Sequence, residues 1–239
     1  AIAAIVGGSI AYSFHLRMPL YIQFVISLVG VLAAFSLVEP PLKKTHNRSN
    51  WAQIAYILSV VFFKNKVLRY FMLLTALFGL ASLILAWFAQ PYLDFKAIEE
   101  HKIGYLWAGF NLTVAFFSYN AHRIQQYLSQ KSLVTLILLG FSVGYLVLGS
   151  WGAEYLFLGL LAMFCMYACR GIAAPFFLNI INQVTPSEMR ATVLSIRGFC
   201  VRLSYAFLAP FLGWWADVYS IIDAFWIFGV LVTIFSLLA

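Results

Sequence analysis

A polytopic bundle of transmembrane α-helices is the fold this sequence predicts, and three observations predict it. Of the 239 residues, 64% are hydrophobic and only 10% are charged, and the mean hydropathy is +0.92. A water-soluble domain is about half apolar and about a quarter charged, so no ordinary core could absorb this excess. The apolar residues gather in runs of about 20, the length a helix needs to cross a bilayer. The charges stand between those runs, mostly in short connections.

Taken in order, the runs predict spans at 1–14, 18–38, 68–92, 103–121, 132–151, 154–182, 188–215 and 220–239. The first is short and opens on Ala1 inside an apolar stretch, with no signal peptide ahead of it, so the chain reads as part of something longer. The longest connection, 39–67, contains Ser49 and Asn50 as a cap for a helix beginning near Trp51. That helix is apolar, is closed by Lys64 and Lys66, and is expected to lie along the membrane surface. Before the seventh span, Thr185-Pro186-Ser187-Glu188 fits a capping box, with Thr185 as cap, Pro186 at the first helical position and Glu188 reaching back. Pro175 is expected to kink the sixth span, and Pro91 and Pro210 are either gating bends or static kinks.

Counting lysine and arginine on alternate sides orients the bundle. One side holds Lys43, Lys44, Arg48, Lys64, Lys66, Arg69, Arg123, Lys131 and Arg190. The other holds Arg17, Lys96 and Lys102, the last two beside Asp94, Glu99 and Glu100. The excess marks the cytoplasmic side, which places the 39–67 connection and the C-terminus inside a cell (plasma or inner) membrane. The same pattern accounts for the net charge of +7 without a basic stripe, so no nucleic-acid partner is expected. Cys165, Cys169 and Cys200 sit inside apolar runs without a CxxC motif, and the four histidines are scattered. Neither metal nor other cofactor is expected. The sequons at Asn47 and Asn111 fall on the cytoplasmic side and within a span, where no glycan is attached.

The spans differ in polarity. The second, fifth and eighth carry almost nothing that needs a partner and are expected to face lipid. The third, fourth, sixth and seventh carry Gln90, Asn111, Asn120, Arg170, Asn179, Arg197 and Arg202, and are expected to turn these toward an inner polar cavity. From Pro186, Arg190 lies about 6 Å along the helix, Arg197 about 16 Å and Arg202 about 24 Å, near mid-bilayer. An arginine there costs at least about 2.5 kcal/mol unless water or a counter-charge meets it. Two readings stand: the arginines snorkel or pair with acids elsewhere, or they face a solute. No acid lies in the middle of any span, and no nucleophile–base pair, metal cluster or paired carboxylate appears at membrane depth, so an enzyme is not expected.

Several stretches resemble one family. "GGSIAYSFHLRMPLYI" followed by "EPP" is similar to the end of the fifth helix, the turn and the sixth helix of major facilitator superfamily transporters. "WFAQPYL" with "IGYLWAGF" resembles that family's seventh-to-eighth connection, and "CRGIAAPFFLNIINQVTPSEMRATVLS" its tenth helix and the loop into the eleventh. The echo of "AAIVGGSIA" (3–11) in "APFLGWWAD" (209–217), six spans on, is in keeping with the family's two parallel six-helix halves. The resemblance implies the C-terminal two-thirds of a twelve-helix permease, with about eight spans present. Residues 1–38 would end the first half, 39–67 would connect the halves, and 68–239 would form the second half. Ala3-Ala4 stands where proton antiporters of the family often carry Gly-Pro, a departure from the antiporter pattern.

The function so implied is transport of a small solute by alternating access; arginines facing the cavity would suit an anionic or zwitterionic one. The alternatives are a multidrug-type exporter and a non-transporting membrane sensor. Arg202, Arg170 and Arg197 would offer charge, Gln90, Asn111 and Asn179 hydrogen bonds, and Trp87 and Trp107 aromatic walls. The resemblance also makes Thr185 to Arg190 a cytoplasmic gate element. A coupling proton or sodium ion is compatible with the family, and a monomer in the bilayer is its default state.

Overall fold

The computed structural model describes residues 2–15, 17–37 and 50–238. Its α-helices are α1 (Ile2–Ser13), α2 (Met18–Phe35), α3 (Asn50–Ser59), α4 (Lys66–Phe95), α5 (Glu100–Tyr127), α6 (Gln130–Leu148), α7 (Leu156–Val184), α8 (Arg190–Val218) and α9 (Ile221–Leu238). There is no strand among the described residues. Each predicted apolar run has become a helix, with ends a few residues away from the expected ones.

Among the described residues, six helices are both long and apolar enough to cross a membrane: α2, α4, α6, α7, α8 with its leading turn, and α9. The eight-span reading is thereby narrowed. The 12 residues of α1 make only about 18 Å of helix. The 28 residues of α5 reach about 42 Å, but Asn111, Asn120, His122 and Arg123 interrupt its apolar character.

The helices pack around α4, which touches α7, α8 and α9. On one flank α6 lies between α7 and α9, and on the other α5 lies between α7 and α1. Lipid tails are as apolar as leucine, so helices in a membrane associate through close packing and hydrogen bonds instead of hydrophobic burial. Small residues provide that fit here. A Cβ added at Gly171 of α7 would lie 2.7 Å from the Val114 carbonyl oxygen of α5. At Gly229 of α9 it would lie 3.0 Å from the Leu146 nitrogen of α6. Buried tyrosines add cross-links: Tyr145 Oη donates to the Ala81 carbonyl at 2.6 Å, and Tyr92 Oη to Gly152 at 3.0 Å.

This packing adds a distinction that polarity alone does not draw. The apolar α6 buries nine of its 19 residues and α9 seven of 18, whereas the polar α5 buries four of 28 and α8 two of 29. Hydropathy ranks helices by what they tolerate, and side-chain size decides which of them interlock. Of the three spans expected to face lipid, α2 alone has no buried residue.

The entry to α8 is also corrected. Pro186 has ψ 141 and stands outside the helix, a three-residue turn follows over Ser187–Met189, and α8 begins at Arg190. Thr185 is buried and its Oγ1 has no hydrogen-bond partner, so the capping box is not made. The proline is extended, which carries the chain past the position where Thr185 could reach the first amides. A helix does follow Trp51 in the long connection: α3 continues as a π-helical turn over Val60–Lys64, and Ile57 and Val61 pack on Leu68, Met72, Ile181 and Val193. The expected cap at Ser49, the sequon at Asn47 and the cations Lys43, Lys44 and Arg48 lie outside the described residues. At the far end of α4, Ile98 N–H bonds the Leu93 carbonyl and Ala97 N–H that of Asp94, a Schellman closure that holds Ala97 at φ 53.

Candidate functional site

The strongest concentration of chemistry lies where α5 meets α7. Trp107 and Phe110 are three residues apart on α5, as are Phe164 and Tyr167 and then Arg170 on α7, so each set shares one helix face. Gly171 brings the two backbones close and lets these rings interleave. Phe110 stacks on Tyr167 with centroids 4.6 Å apart and planes 8° from parallel. Trp107 meets both rings edge-on, at 6.1 Å and 6.3 Å. Arg170 places its guanidinium carbon 5.9 Å from the Tyr167 ring centroid. Arg170 is 14 residues into the 29 of α7, about 21 Å along its axis and therefore close to mid-bilayer.

Two features of this cluster bear on chemistry. The cation–π contact is worth about 0.5–2 kcal/mol, which offsets part of the cost of an arginine at this depth. Tyr167 is only 3% exposed, and its Oη has no hydrogen-bond partner. A buried hydroxyl left in that state costs about 1–3 kcal/mol. Guanidinium, phenol and indole together can bind a small group carrying negative charge and an apolar or aromatic body. Among the described residues, neither salt bridge involves Arg170.

Of the residues singled out in the sequence, Arg170 and Trp107 thus meet on one ring. The others are placed separately. Asn111 is exposed one turn below Trp107 and donates to the Trp107 carbonyl at 2.8 Å, so its amide is turned back on its own helix. Asn179 is exposed and accepts from Gln183 Nε2 at 3.4 Å. Gln90 and Trp87 are exposed one turn apart on α4. On α8, Val201 packs against Gly79 of α4, and Arg197, four residues earlier, shares that side; its Nε is buried and unpartnered. Arg202 is exposed, 12 residues and about 18 Å beyond the start of α8. Arg190 donates to the Asn182 carbonyl at 3.0 Å and ties the end of α7 to the start of α8. Pro91, Pro175 and Pro210 all lie within helices that continue through them.

Sequence reasoning missed Tyr167 and Phe110, which join the two residues it found. The signal was present as aromatic pairs at three-residue spacing on two different spans, one of them followed by an arginine at the same spacing. Pairing them needed knowledge that α5 and α7 are neighbours.

A bundle of long apolar helices with an aromatic and cationic cluster partway along two of them defines the class: a polytopic helical membrane protein. The chain matches the family described as Major Facilitator Superfamily over residues 82–239, roughly two thirds of its length. It belongs to the major facilitator superfamily, whose members are transporters rather than enzymes. The matched range contains the "WFAQPYL" and "CRGIAAPFF" stretches; the likeness seen around "GGSIAYSFHLRMPLYI" falls before it. No curated protein matches the chain.

Proposed function

We propose that this transporter carries a small anionic or zwitterionic solute with an aromatic or apolar body, bound at the α5–α7 cluster and passed across by alternating access. The observation that carries the reading is the buried, unpartnered hydroxyl of Tyr167, whose ring has the Arg170 guanidinium carbon 5.9 Å from its centroid. A carboxylate or phosphate would take hydrogen bonds from both, and the Trp107 ring would cover the apolar part. Arg197 and Arg202 extend the positive field along α8, and the exposed faces of α5 and α8 line the route. Residues 39–67 join the two halves of the transporter, with that connection on the cytoplasmic side of the cell membrane and Arg190 at its gate.

Flux into liposomes holding the full chain tests this, using paired anionic, zwitterionic and cationic solutes of similar size. Uptake or export of an anion or zwitterion, lost in Arg170→Gln and weakened in Tyr167→Phe, is the expected result. Selective flux of cations, or unchanged flux in both variants, contradicts it. Saturable solute binding with no flux would identify a sensor instead of a carrier.

A further inference from the structure

Between α3 and α4 the chain folds back onto the bundle. Asn65 is extended (φ −109, ψ 100) and ends the π-helical turn, and its side chain accepts from the Leu68 N–H at 3.0 Å to start α4. Its own N–H donates to the Val60 carbonyl five residues back, at 3.0 Å, the spacing of a π-helix. Arg69 donates to the Phe62 carbonyl at 3.3 Å, and Lys64 Nζ lies 4.9 Å from the Tyr56 ring centroid, so the corner is braced on both sides. Ile57 and Val61, four residues apart, are thereby pressed into a hydrophobic cluster of their own, separate from the main core. Its other buried members are Leu68 and Met72 of α4, Ile181 of α7 and Val193 of α8.

Under this corner lies the joint between α7 and α8. Ile181 directly precedes Asn182, and Val193 is three residues beyond Arg190, the two partners of the bond that ties these helices together. Val184, Met189 and Leu194 pack around the same cluster. The joint also holds three buried polar atoms without a hydrogen-bond partner: Asn182 Oδ1, Thr185 Oγ1 and Arg190 Nε. Each has lost water and gained no bond, so the joint is costly in this arrangement and leans on the apolar contacts over it. A segment held by packing from one side opens locally when that packing is lifted. We propose that α3 and its π-helical turn form a strap that holds the α7–α8 joint shut, and that lifting the strap frees Arg190 and the first turns of α8. The inference rests on reading residues 39–67 as the connection between the halves: a strap in that connection passes the movement of one half to the gate of the other.

Hydrogen–deuterium exchange on the full chain in lipid nanodiscs tests the strap without any solute. Val61 is 0% exposed and Trp51 80% exposed, so substitutions at the two positions separate docking from the presence of the helix. Val61→Asp buries an uncompensated charge and should speed exchange about tenfold or more at residues 55–64 and together with them at 186–196, leaving 92–98 at the far end of α4 unchanged. Ile57→Ala should speed both segments by about two- to fivefold, and Trp51→Ser neither. Should 92–98 also speed up in Val61→Asp, the whole chain has loosened and Ile57→Ala decides. Fast exchange of 55–64 in the parent chain, or faster exchange there in Ile57→Ala with 186–196 at the parent rate, overturns the proposal. Coupled exchange in a chain that carries no solute would support the strap and remove the carrier reading alone.

Discussion

Helices α6 and α8 both have the length and apolarity to span a membrane, yet they are used in opposite ways. The shorter α6 is keyed into its neighbours by glycines: a Cβ on Gly140 would meet Cys169, on Gly144 Met166, and on Gly149 the backbone of Trp226. The longer α8 carries Gly213, around which there is open space, and exposes Phe199, Leu203, Phe207 and Phe211 along four consecutive turns. The difference is one of shape before polarity. In a bilayer an apolar surface gains nothing by leaving lipid for protein, so a helix is held where small residues let backbones approach. The α6 flank supports the bundle, and the α8 flank leaves a wide face available with Arg202 on it.

Exchanging glycines between the two flanks should break this contrast most visibly. Gly149→Ala places a methyl on the Trp226 backbone and should cost about 3 kcal/mol of stability, whereas Gly213→Ala should lie within about 0.5 kcal/mol of the parent. Thermal unfolding in one detergent measures both, and equal losses would refute the assignment of flanks. Next in size, Arg170→Gln should weaken solute binding about tenfold or more while moving stability little, as expected for a group whose charge serves a ligand. Tyr145→Phe should do the reverse: loss of the bond to the Ala81 carbonyl costs about 1 kcal/mol of stability and leaves solute affinity unchanged. The smallest effect is a gain. Ala97 is held at φ 53, where glycine is unstrained, so Ala97→Gly should stabilise the closure of α4 by about 0.5–1 kcal/mol, read as a higher unfolding temperature.

Which parts of this were legible in the sequence follows from what each signal measures. The long apolar runs located α4 to α9 because chain length against bilayer thickness is a one-dimensional constraint. The position of Arg170 well inside α7 was legible for the same reason, since depth along a helix follows from residue count. Partnership between helices was not. The apolar α6 and α9 were read as lipid-facing from composition, which records no shape; that they also interlock, as Gly229 does on Leu146, becomes visible only when both helices are placed. The capping box at Thr185 failed on a single backbone angle, since Pro186 fits both an extended and a helical start. At the site, Asn111 was chosen for its hydrogen-bonding amide, but that amide is occupied by the Trp107 carbonyl. Tyr167 was passed over because one tyrosine among 13 carries no mark until Phe110 and Arg170 are found against it.

The most direct test of the account asks which flank meets water in the membrane. In a background with Cys165, Cys169 and Cys200 replaced by alanine, Arg202→Cys on α8 and Val143→Cys on α6 are each treated with a membrane-impermeant thiol reagent in intact liposomes. Both positions are exposed on the protein, so lipid against water is what separates them. The account predicts rapid labelling at position 202, slowed by bound solute, and none at position 143. Labelling at 143 with protection at 202 would place the aqueous route on the other side of the bundle and contradict it.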